Sequence, residues 1–255
     1  MKKILADMVR KLLDGRVLRV LSGPLRGLKL RVTPLIKINN FVLPYEPDKQ
    51  MAFDLLLKKD AVFFDVGANI GLHSYFTALK FPEASIYAFE PMPDNAVYIS
   101  EVIRLNNLDN IKVIQAAISN ESGKAFFDFS DNNSKGRISE EHTDVSVETY
   151  SLDDFVKENA ISPDVVKVDV EGAEGKVLEG AVELMKNRPP IFIIELHTPE
   201  QDRQVARILI KHGYSIKRLN PSATGLNNDL LLEIKNTSAT WPDPDGVWGS
   251  IVAIH

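Results

Sequence analysis

The sequence lacks cysteine entirely, which excludes disulfide bonds and any metal site built on thiolates. No stretch approaches the ~20 apolar residues of a transmembrane helix. Beyond the first thirty residues there is no cluster of lysine and arginine, and the formal net charge is −5. Because nucleic-acid binding requires a basic surface, these absences argue against a nucleic-acid partner.

Apolar residues make up 44% of the 255 residues, enough to bury both faces of a parallel sheet in an α/β domain. Apolar runs alternate with helical patterns, which predicts parallel strands joined by crossover helices. We predict core strands near residues 61–66, 85–90, 111–117, 164–169 and 191–196, and helices near 72–80, 94–107, 173–186 and 200–212. Further strands near 214–219 and 230–234 would complete the sheet, and a strand near 250–254 would add an edge to it. Strands near 123–130 and 145–150 would form an insertion after the third core strand.

The first 59 residues are predicted to form a helix, a hairpin around residues 16–32 and a second helix over 46–59, all packed on a core domain of residues 60–255. The basic start resembles a signal peptide, but Asp7 and Arg10 interrupt its apolar run. We therefore expect a cytoplasmic protein. The apolar face of the first helix fits packing on its own domain or on a second copy in a homo-oligomer, which we prefer to contact with a membrane surface. Polar loops over 130–143 and 236–249 fit either binding loops or surface connections.

A buried strand ends at Asp65 and is followed by a tight turn that opens a helix. Gly67 and Gly71 permit backbone angles that other residues avoid and let a ligand approach the main chain, and Asn69 also tolerates a positive φ. Amides at a helix start favour a negative group, whereas Asp65 would meet a positive one. The predicted ligand loop contains Asp65, Gly67, Ala68, Asn69 and Gly71. A tight connection without a ligand fits the same pattern.

The next strand ends at Glu90, about 20 residues past the glycines, where an acidic side chain can hydrogen-bond a ribose. Pro91 lacks an amide proton and stops the ladder, so Glu90 lies at the strand tip. Small residues at the end of the third strand, Ala117 among them, leave room for an adenine ring, although simple packing fits them equally well. Together these features predict a nucleoside ligand.

The spacing of the glycines decides between two such ligands. A dinucleotide site normally carries Gly-x-Gly-x-x-Gly, but Asn69 occupies the position two after Gly67. Asp65 would also repel a pyrophosphate, whereas it suits an ammonium group. S-Adenosylmethionine has a ribose, no phosphate and a cationic amino-acid end, so the chemistry favours it over NAD.

Five motifs taken together resemble the FkbM family of class I S-adenosylmethionine-dependent methyltransferases. They occupy residues 65–71, 89–91, 152–155, 167–180 and 194–197. The resemblance covers roughly residues 60–200. It implies a doubly wound, Rossmann-like α/β fold with a seven-stranded, mostly parallel sheet and an antiparallel strand near one edge. It also implies O-methylation of hydroxyl groups on sugars or other small natural products.

Methyl transfer to a hydroxyl requires groups that hold the acceptor oxygen and take its proton. The fourth strand places Lys167 and Asp169 on one face, and Glu171 follows in the turn. The fifth strand ends with Glu195 and His197 on one face. His197 is the natural general base because its unperturbed pKa is near neutral, although a structural role fits it equally well. We predict that Asp169, Glu171 and His197 face the acceptor.

A metal offers a second interpretation of the same carboxylates. Asp169 and Glu195 could share a divalent cation with the acceptor hydroxyls, since Mg²⁺ prefers carboxylate oxygens. We favour a site without a metal. The expected function is methyl transfer from S-adenosyl-L-methionine to a small-molecule or glycan acceptor. A non-catalytic nucleoside-binding module of the same fold and an NAD-dependent oxidoreductase are the alternatives.

Overall fold

A computed structural model describes residues 10–43, 45–128, 137–139, 146–220, 230–233 and 249–255. The two polar loops predicted over 130–143 and 236–249 lie outside these residues, apart from residues 137–139 and 249. Most of the predicted N-terminal helix also lies outside them, although residues 10–13 are helical. Within the described ranges, no helix is long and apolar enough to cross a membrane.

The described elements alternate between strands and helices along most of the chain. In chain order the strands are β1 Val17–Arg19, β2 Lys29–Arg31, β3 Val62–Val66, β4 Ser85–Phe89, β5 Ile111–Ile114, β6 Ala117–Ile118, β7 Gly123–Asp128, β8 Arg137–Ser139, β9 Ser146–Tyr150, β10 Val165–Val168, β11 Ile191–Glu195, β12 Ser215–Leu219, β13 Leu231–Glu233 and β14 Ser250–Ile254. The helices are α1 Pro47–Leu56, α2 Leu72–Lys80, α3 Pro93–Asn106, α4 Leu152–Asn159, α5 Glu174–Glu179, α6 Val182–Asn187 and α7 Pro199–Lys211, with a short 3₁₀ helix at Ile38–Phe41.

The central sheet has the spatial order β13-β12-β14-β11-β10-β3-β4-β5. The five strands from β11 to β5 are mutually parallel, and β14 runs antiparallel between β11 and β12. The predicted doubly wound, seven-stranded sheet with one antiparallel strand is therefore confirmed, with β13 as an additional edge strand. The prediction that residues 250–254 form an edge is wrong. This strand lies inside the sheet, where four of its five residues are buried.

Helices cover both faces of the sheet, and successive strand residues point to opposite faces. Phe63 packs in the same cluster as α1, α2 and α3, whereas Phe64 packs with α4, α5, α6 and α7. The predicted single helix over 173–186 is two helices, α5 and α6. They meet at Gly180, where an added Cβ would lie 2.2 Å from the backbone oxygen of Ser119, so the chain is too close there to carry a side chain.

A second sheet with the order β6-β9-β7-β8 follows the third core strand, where the sequence predicts inserted strands. The third core strand is shorter than predicted, because it ends at Ile114 and residues 117–118 pair with β9 instead. The switch of sheets places Ala117 directly beside the carboxyl edge of the central sheet. Helix α4 begins directly after Ser151, which caps it: the Ser151 hydroxyl accepts a hydrogen bond from the Asp154 amide.

The N-terminal segment lies against the core. Strands β1 and β2 form the predicted antiparallel hairpin, and β2 docks on α3, where the Lys29 amide donates to Asn106 Oδ1 at 2.8 Å. Apolar residues from the hairpin and α1 belong to the same hydrophobic cluster as Phe63 and Ile193 of the sheet. Helix α1 thereby reaches the carboxyl edge of the sheet, where a cavity opens.

Candidate active site

The cavity lies at the carboxyl ends of β3, β4 and β10, where open α/β sheets bind nucleotide-like ligands. Eight of the eleven site residues predicted from the sequence line it: Gly67, Ala68, Asn69, Glu90, Pro91, Ala117, Asp169 and Glu171. The other three, Asp65, Gly71 and His197, lie behind this lining and contact residues that belong to it. Tyr45, His73 and Lys167 also line the cavity.

The loop after β3 has the backbone angles that the sequence predicts. Gly67, Asn69 and Gly71 have φ values of +73°, +52° and +82°. A Cβ added to Gly67 would lie 1.9 Å from the backbone oxygen of Asp169. Glycine is therefore required at 67 because the end of β10 approaches the main chain, whether or not a ligand also does.

The amides of this loop donate to the protein itself. Gly67 N and Ala68 N both donate to the Phe89 carbonyl, at 3.1 and 3.0 Å, and Asn69 N donates to Glu90 Oε2 at 2.7 Å. A dinucleotide site needs such amides for the pyrophosphate. Their use within the protein weighs against the NAD alternative.

Glu90 is almost fully buried at the tip of β4, with 4% of its surface exposed. Besides the Asn69 amide, it accepts hydrogen bonds from Met92 N at 3.0 Å and Asn95 Nδ2 at 3.2 Å. Burial raises the pKa of Glu90 to about 7, and the three hydrogen bonds limit the rise. The carboxylate is thus fixed in one orientation at the position predicted for a ribose contact.

Asp65 is fully buried and paired within the protein. Its carboxylate lies 3.1 Å from Lys167 Nζ and accepts a 2.6 Å hydrogen bond from the Ser74 hydroxyl. Lys167 Nζ also donates to the Gly67 carbonyl at 2.8 Å. Burial lowers the pKa of Lys167, but Asp65 and Asp169 outweigh it and the net pKa is raised. Asp65 therefore acts on the loop through a lysine cation.

Asp169 follows β10 and faces the cavity beside His197. The distance between Asp169 Oδ1 and His197 Nε2 is 3.3 Å, and Lys167 Nζ lies 3.8 Å from Oδ2. Burial raises the pKa of Asp169, but Lys167, His197 and Lys49 together leave it well below its usual range. The hydrogen bond to Asp169 raises the pKa of His197 despite partial burial. The ends of β10 and β11 thus bring a carboxylate and an imidazole together.

The turn between Asp169 and α5 has an unusual backbone. Glu171 has a φ of +52°, and Gly172 follows at +117°. Gly172 N donates to Glu174 Oε1 at 3.1 Å, and Glu174 is fully buried. Glu174 therefore contacts the turn from within the protein, while Glu171 lines the cavity.

The N-terminal segment contributes residues that the sequence analysis missed. Lys49 of α1 is buried, with 4% of its surface exposed. Its Nζ lies 2.6 Å from Glu46 Oε2, in direct contact with Glu195 Oε2 and 4.0 Å from Asp169 Oδ2. His73 Nε2 lies 2.9 Å from the same oxygen of Glu46. No local pattern indicates this role, because a lysine near a helix start is ordinarily exposed.

Two groups of residues are named after the roles predicted from the sequence. The cofactor side is the loop 67–71 with Glu90 and Ala117. The acceptor side is Asp169 and Glu171, which line the cavity, together with the ion-paired residues beside them, Glu46, Lys49, Glu195 and His197. Potential metal-ligand atoms of Asp169, Glu195 and His197 lie within 4.8 Å of one another, the one such group of three among the described residues. Lys49 already contacts one member of that group, Glu195.

The fold and the cavity define a class I S-adenosyl-L-methionine-dependent methyltransferase. The small residues 116–117 form a wall that accommodates an adenine, and Glu90 is fixed where a ribose would bind, so the residues fit this cofactor. The Methyltransferase FkbM domain matches residues 65–216. The chain therefore belongs to the FkbM family of methyltransferases, for which S-adenosyl-L-methionine is the methyl donor.

Three curated relatives show the range of this family. The hexuronic acid methyltransferase AglP of Haloferax volcanii is 31% identical over 179 residues, which cover 68% of this chain and 69% of that protein. The 2-O-methyltransferase NoeI of Sinorhizobium fredii is 32% identical over 154 residues, which cover 51% of this chain and 61% of that protein. Methyltransferase sdnD of Sordaria araneosa is 30% identical over 202 residues, which cover 64% of this chain and 76% of that protein.

Proposed function

We propose that this enzyme transfers a methyl group to a hydroxyl oxygen of a sugar or of another small natural product. The observation that carries the proposal is the Asp169–His197 pair at the acceptor side of the cavity. A hydroxyl needs a proton acceptor as it attacks, and this pair supplies one next to the cofactor side. The names of AglP and NoeI, a hexuronic acid methyltransferase and a 2-O-methyltransferase, support an acceptor of this class.

On the cofactor side, Glu90 would accept hydrogen bonds from the ribose hydroxyls. The backbone of Gly67, Ala68 and Asn69 would lie against the amino-acid end, and Ala117 would contact the adenine. Pro91 and Gly71 shape the loop ends. We assign Asp65 a positioning role through Lys167, since both of its carboxylate oxygens already have partners within the protein.

On the acceptor side, S-adenosyl-L-methionine supplies an electrophilic methyl group, and the protein supplies orientation and a proton acceptor. Asp169 faces the cavity and would hold the acceptor hydroxyl. When Nε2 of neutral His197 donates to Asp169, the basic lone pair of the imidazole lies on Nδ1. His197 has a raised pKa and Asp169 a lowered one. The imidazole is therefore the group that retains the proton, and Glu171 would contact the remainder of the acceptor.

The test is a screen of neutral, amino and acidic glycosides and polyols with methyl-labelled S-adenosyl-L-methionine, followed by NMR of the product. We expect the label as an O-methyl ether. His197→Ala should lower kcat by about 10²–10⁴-fold, the usual contribution of a positioned proton acceptor. Asp169→Asn should lower kcat as well, because the Asp169 carboxylate orients the imidazole. The affinity for S-adenosylhomocysteine should stay within about threefold, because Asp169 lies on the acceptor side.

Two results would contradict parts of this proposal. Label recovered on an amine nitrogen would replace O-methylation with N-methylation. Full turnover by His197→Ala would remove the histidine as the proton acceptor. Surface carboxylate Glu158 provides a matched control, since Glu158→Gln should change neither turnover nor affinity.

A further inference from the structure

Lys49 is a buried cation surrounded by carboxylates from three parts of the chain. Glu46 immediately precedes α1, the helix that contains Lys49, while Asp169 follows β10 and Glu195 ends β11. The lysine side chain is 5% exposed, whereas the three acidic side chains are 20–32% exposed. The ammonium group is therefore more deeply buried than the three carboxylates that surround it. A buried charge of this kind is costly unless it is paired, and here the partners lie on the acceptor side of the cavity.

The same carboxylates include the set that could bind a divalent metal. Asp169, Glu195 and His197 bring one ligand atom each to within 4.8 Å of the others. An ion such as Mg²⁺ would need ligand oxygens at about 2.0–2.1 Å. Lys49 Nζ already contacts the Glu195 carboxylate and lies 4.0 Å from Asp169 Oδ2. A metal at this place would have to share Glu195 with an ammonium group and would be repelled by it.

We propose that Lys49 is the resident cation of the acceptor side, in the position that a divalent metal would otherwise take among Asp169, Glu195 and His197. Its charge favours the ionised form of Asp169, and its contacts fix Glu195 and Glu46 on either side. Lys49 acts through these carboxylates, so it is a positioning residue. Its role in methyl transfer rests on the proposed function, whereas its occupation of the cation position does not.

The N-terminal segment is then part of the site. Helix α1 carries Lys49, while Tyr45 lines the cavity and Glu46 joins Lys49 to His73. Burial lowers the pKa of Lys49, but Asp169, Glu46 and Glu195 outweigh it and raise the pKa above the ordinary value. The three carboxylates thus favour the charged form of Lys49.

Manganese binding provides a direct test, because Mn²⁺ bound to protein loses the electron paramagnetic resonance signal of the free ion. Wild type and Lys49→Arg should leave Mn²⁺ in solution, since both keep a cation at this position. Lys49→Ala should bind Mn²⁺ at least about tenfold more tightly, as removal of the ammonium exposes a site with two carboxylates and an imidazole. Adding Asp169→Asn to Lys49→Ala should abolish that gain.

Wild-type protein that binds Mn²⁺ as tightly as Lys49→Ala would overturn the proposal, and so would a Lys49→Ala protein that binds no more tightly than wild type. If Lys49→Ala fails to fold, Lys49→Ala/Glu46→Gln restores the charge balance and leaves the three ligands in place. Calorimetry with S-adenosylhomocysteine is run on each variant. Failure of wild type to bind it would contradict the cofactor assignment, while the manganese result would still decide the role of Lys49.

Discussion

The two sides of the cavity are built in different ways. On the cofactor side, the carboxylate of Glu90 is fixed by the Asn69 amide, 21 positions away, and by neutral donors close in sequence. On the acceptor side, Lys49 contacts Glu195, 146 positions away, and the partners are charged. The cofactor side thus depends on local backbone geometry, whereas the acceptor side depends on ion pairs between distant elements.

This difference fits the roles proposed for the two sides. A cofactor common to a family can be held by a loop and two strand tips that are contiguous in sequence. An acceptor site needs charged groups whose ionisation is fixed, and buried charges stay ionised only when opposite charges hold them. Lys167 joins the two sides, since its Nζ donates to the Gly67 carbonyl and lies 3.8 Å from Asp169.

The largest effect should come from a substitution at Gly67, where the loop of the cofactor side packs against the main chain of Asp169. Gly67→Ala would place a Cβ 1.9 Å from the Asp169 backbone oxygen, at a φ of +73°. We expect a loss of about 2–4 kcal/mol in the free energy of unfolding, because a steric clash adds to backbone strain. Urea unfolding measures the loss. Binding of S-adenosylhomocysteine should be lost as well.

Gly27→Ala is the matched control for this substitution. Gly27 has a φ of +92°, yet nothing lies within 4 Å of its added Cβ. It should cost only the backbone strain of about 1 kcal/mol. Equal losses in the free energy of unfolding of the two variants would show that the close contact between the loop and the end of β10 adds nothing to the cost of the substitution.

An intermediate effect is expected on the cofactor side alone. Glu90→Gln should weaken binding of S-adenosylhomocysteine by more than about tenfold, the scale of a lost buried hydrogen bond to a charged group. The pKa of Glu90 in the unliganded protein is about 7. Ribose hydroxyls donate to the ionised carboxylate, so affinity in wild type should rise as the pH increases towards about 7 and level off above that value.

Protein stability should change with pH in the opposite direction. A carboxyl group whose pKa is raised by folding, here from 4.5 to about 7, stabilises the fold below the lower value. That contribution is lost as the pH rises through about 7, a change of about 3 kcal/mol at most. Calorimetric titrations and urea unfolding of wild type and Glu90→Gln at the same pH values isolate both effects. A variant with the same pH slopes as wild type would exclude Glu90 as the titrating group.

The same contrast explains how much of the molecule could be predicted from its sequence. Gly67, Asn69 and Glu90 follow from local rules, namely positive φ in a turn and an acidic residue at a strand tip. The parallel sheet follows from alternating apolar runs and helical patterns. Lys49 could not be predicted, because two of the three carboxylates that surround it, Asp169 and Glu195, come from elements far along the chain.

Strand β14 shows why an element can be predicted while its place is not. Residues 250–254 form a strand as expected, yet they lie between β11 and β12. An edge strand is ordinarily protected by charged or bulged residues. Ser250–Ile254 has neither, and its apolar run is typical of a strand covered on both faces. The composition therefore contained a signal for an interior strand, but not the identity of its neighbours.

The smallest effect concerns strain on the acceptor side. Among the described residues, five non-glycine residues have positive φ. Of these, Asn69 and Glu171 line the cavity, and Glu46 contacts His73, which also lines it. Glu171→Gly removes an unfavourable left-handed conformation at φ +52° and should raise the free energy of unfolding by about 0.5–1 kcal/mol. It should also lower turnover, because Glu171 lines the cavity. Such strain is retained where a side chain is needed in that orientation.

Ala160→Gly is the control, since Ala160 has the same φ of +52° at the exposed end of α4. It should stabilise the protein by a similar amount and leave turnover unchanged. Thermal unfolding and a methyl-transfer assay with the acceptor found in the screen compare the two variants. Full turnover by Glu171→Gly would mean that the strain at 171 serves only the turn into α5, and that the acceptor side is confined to its ion pairs.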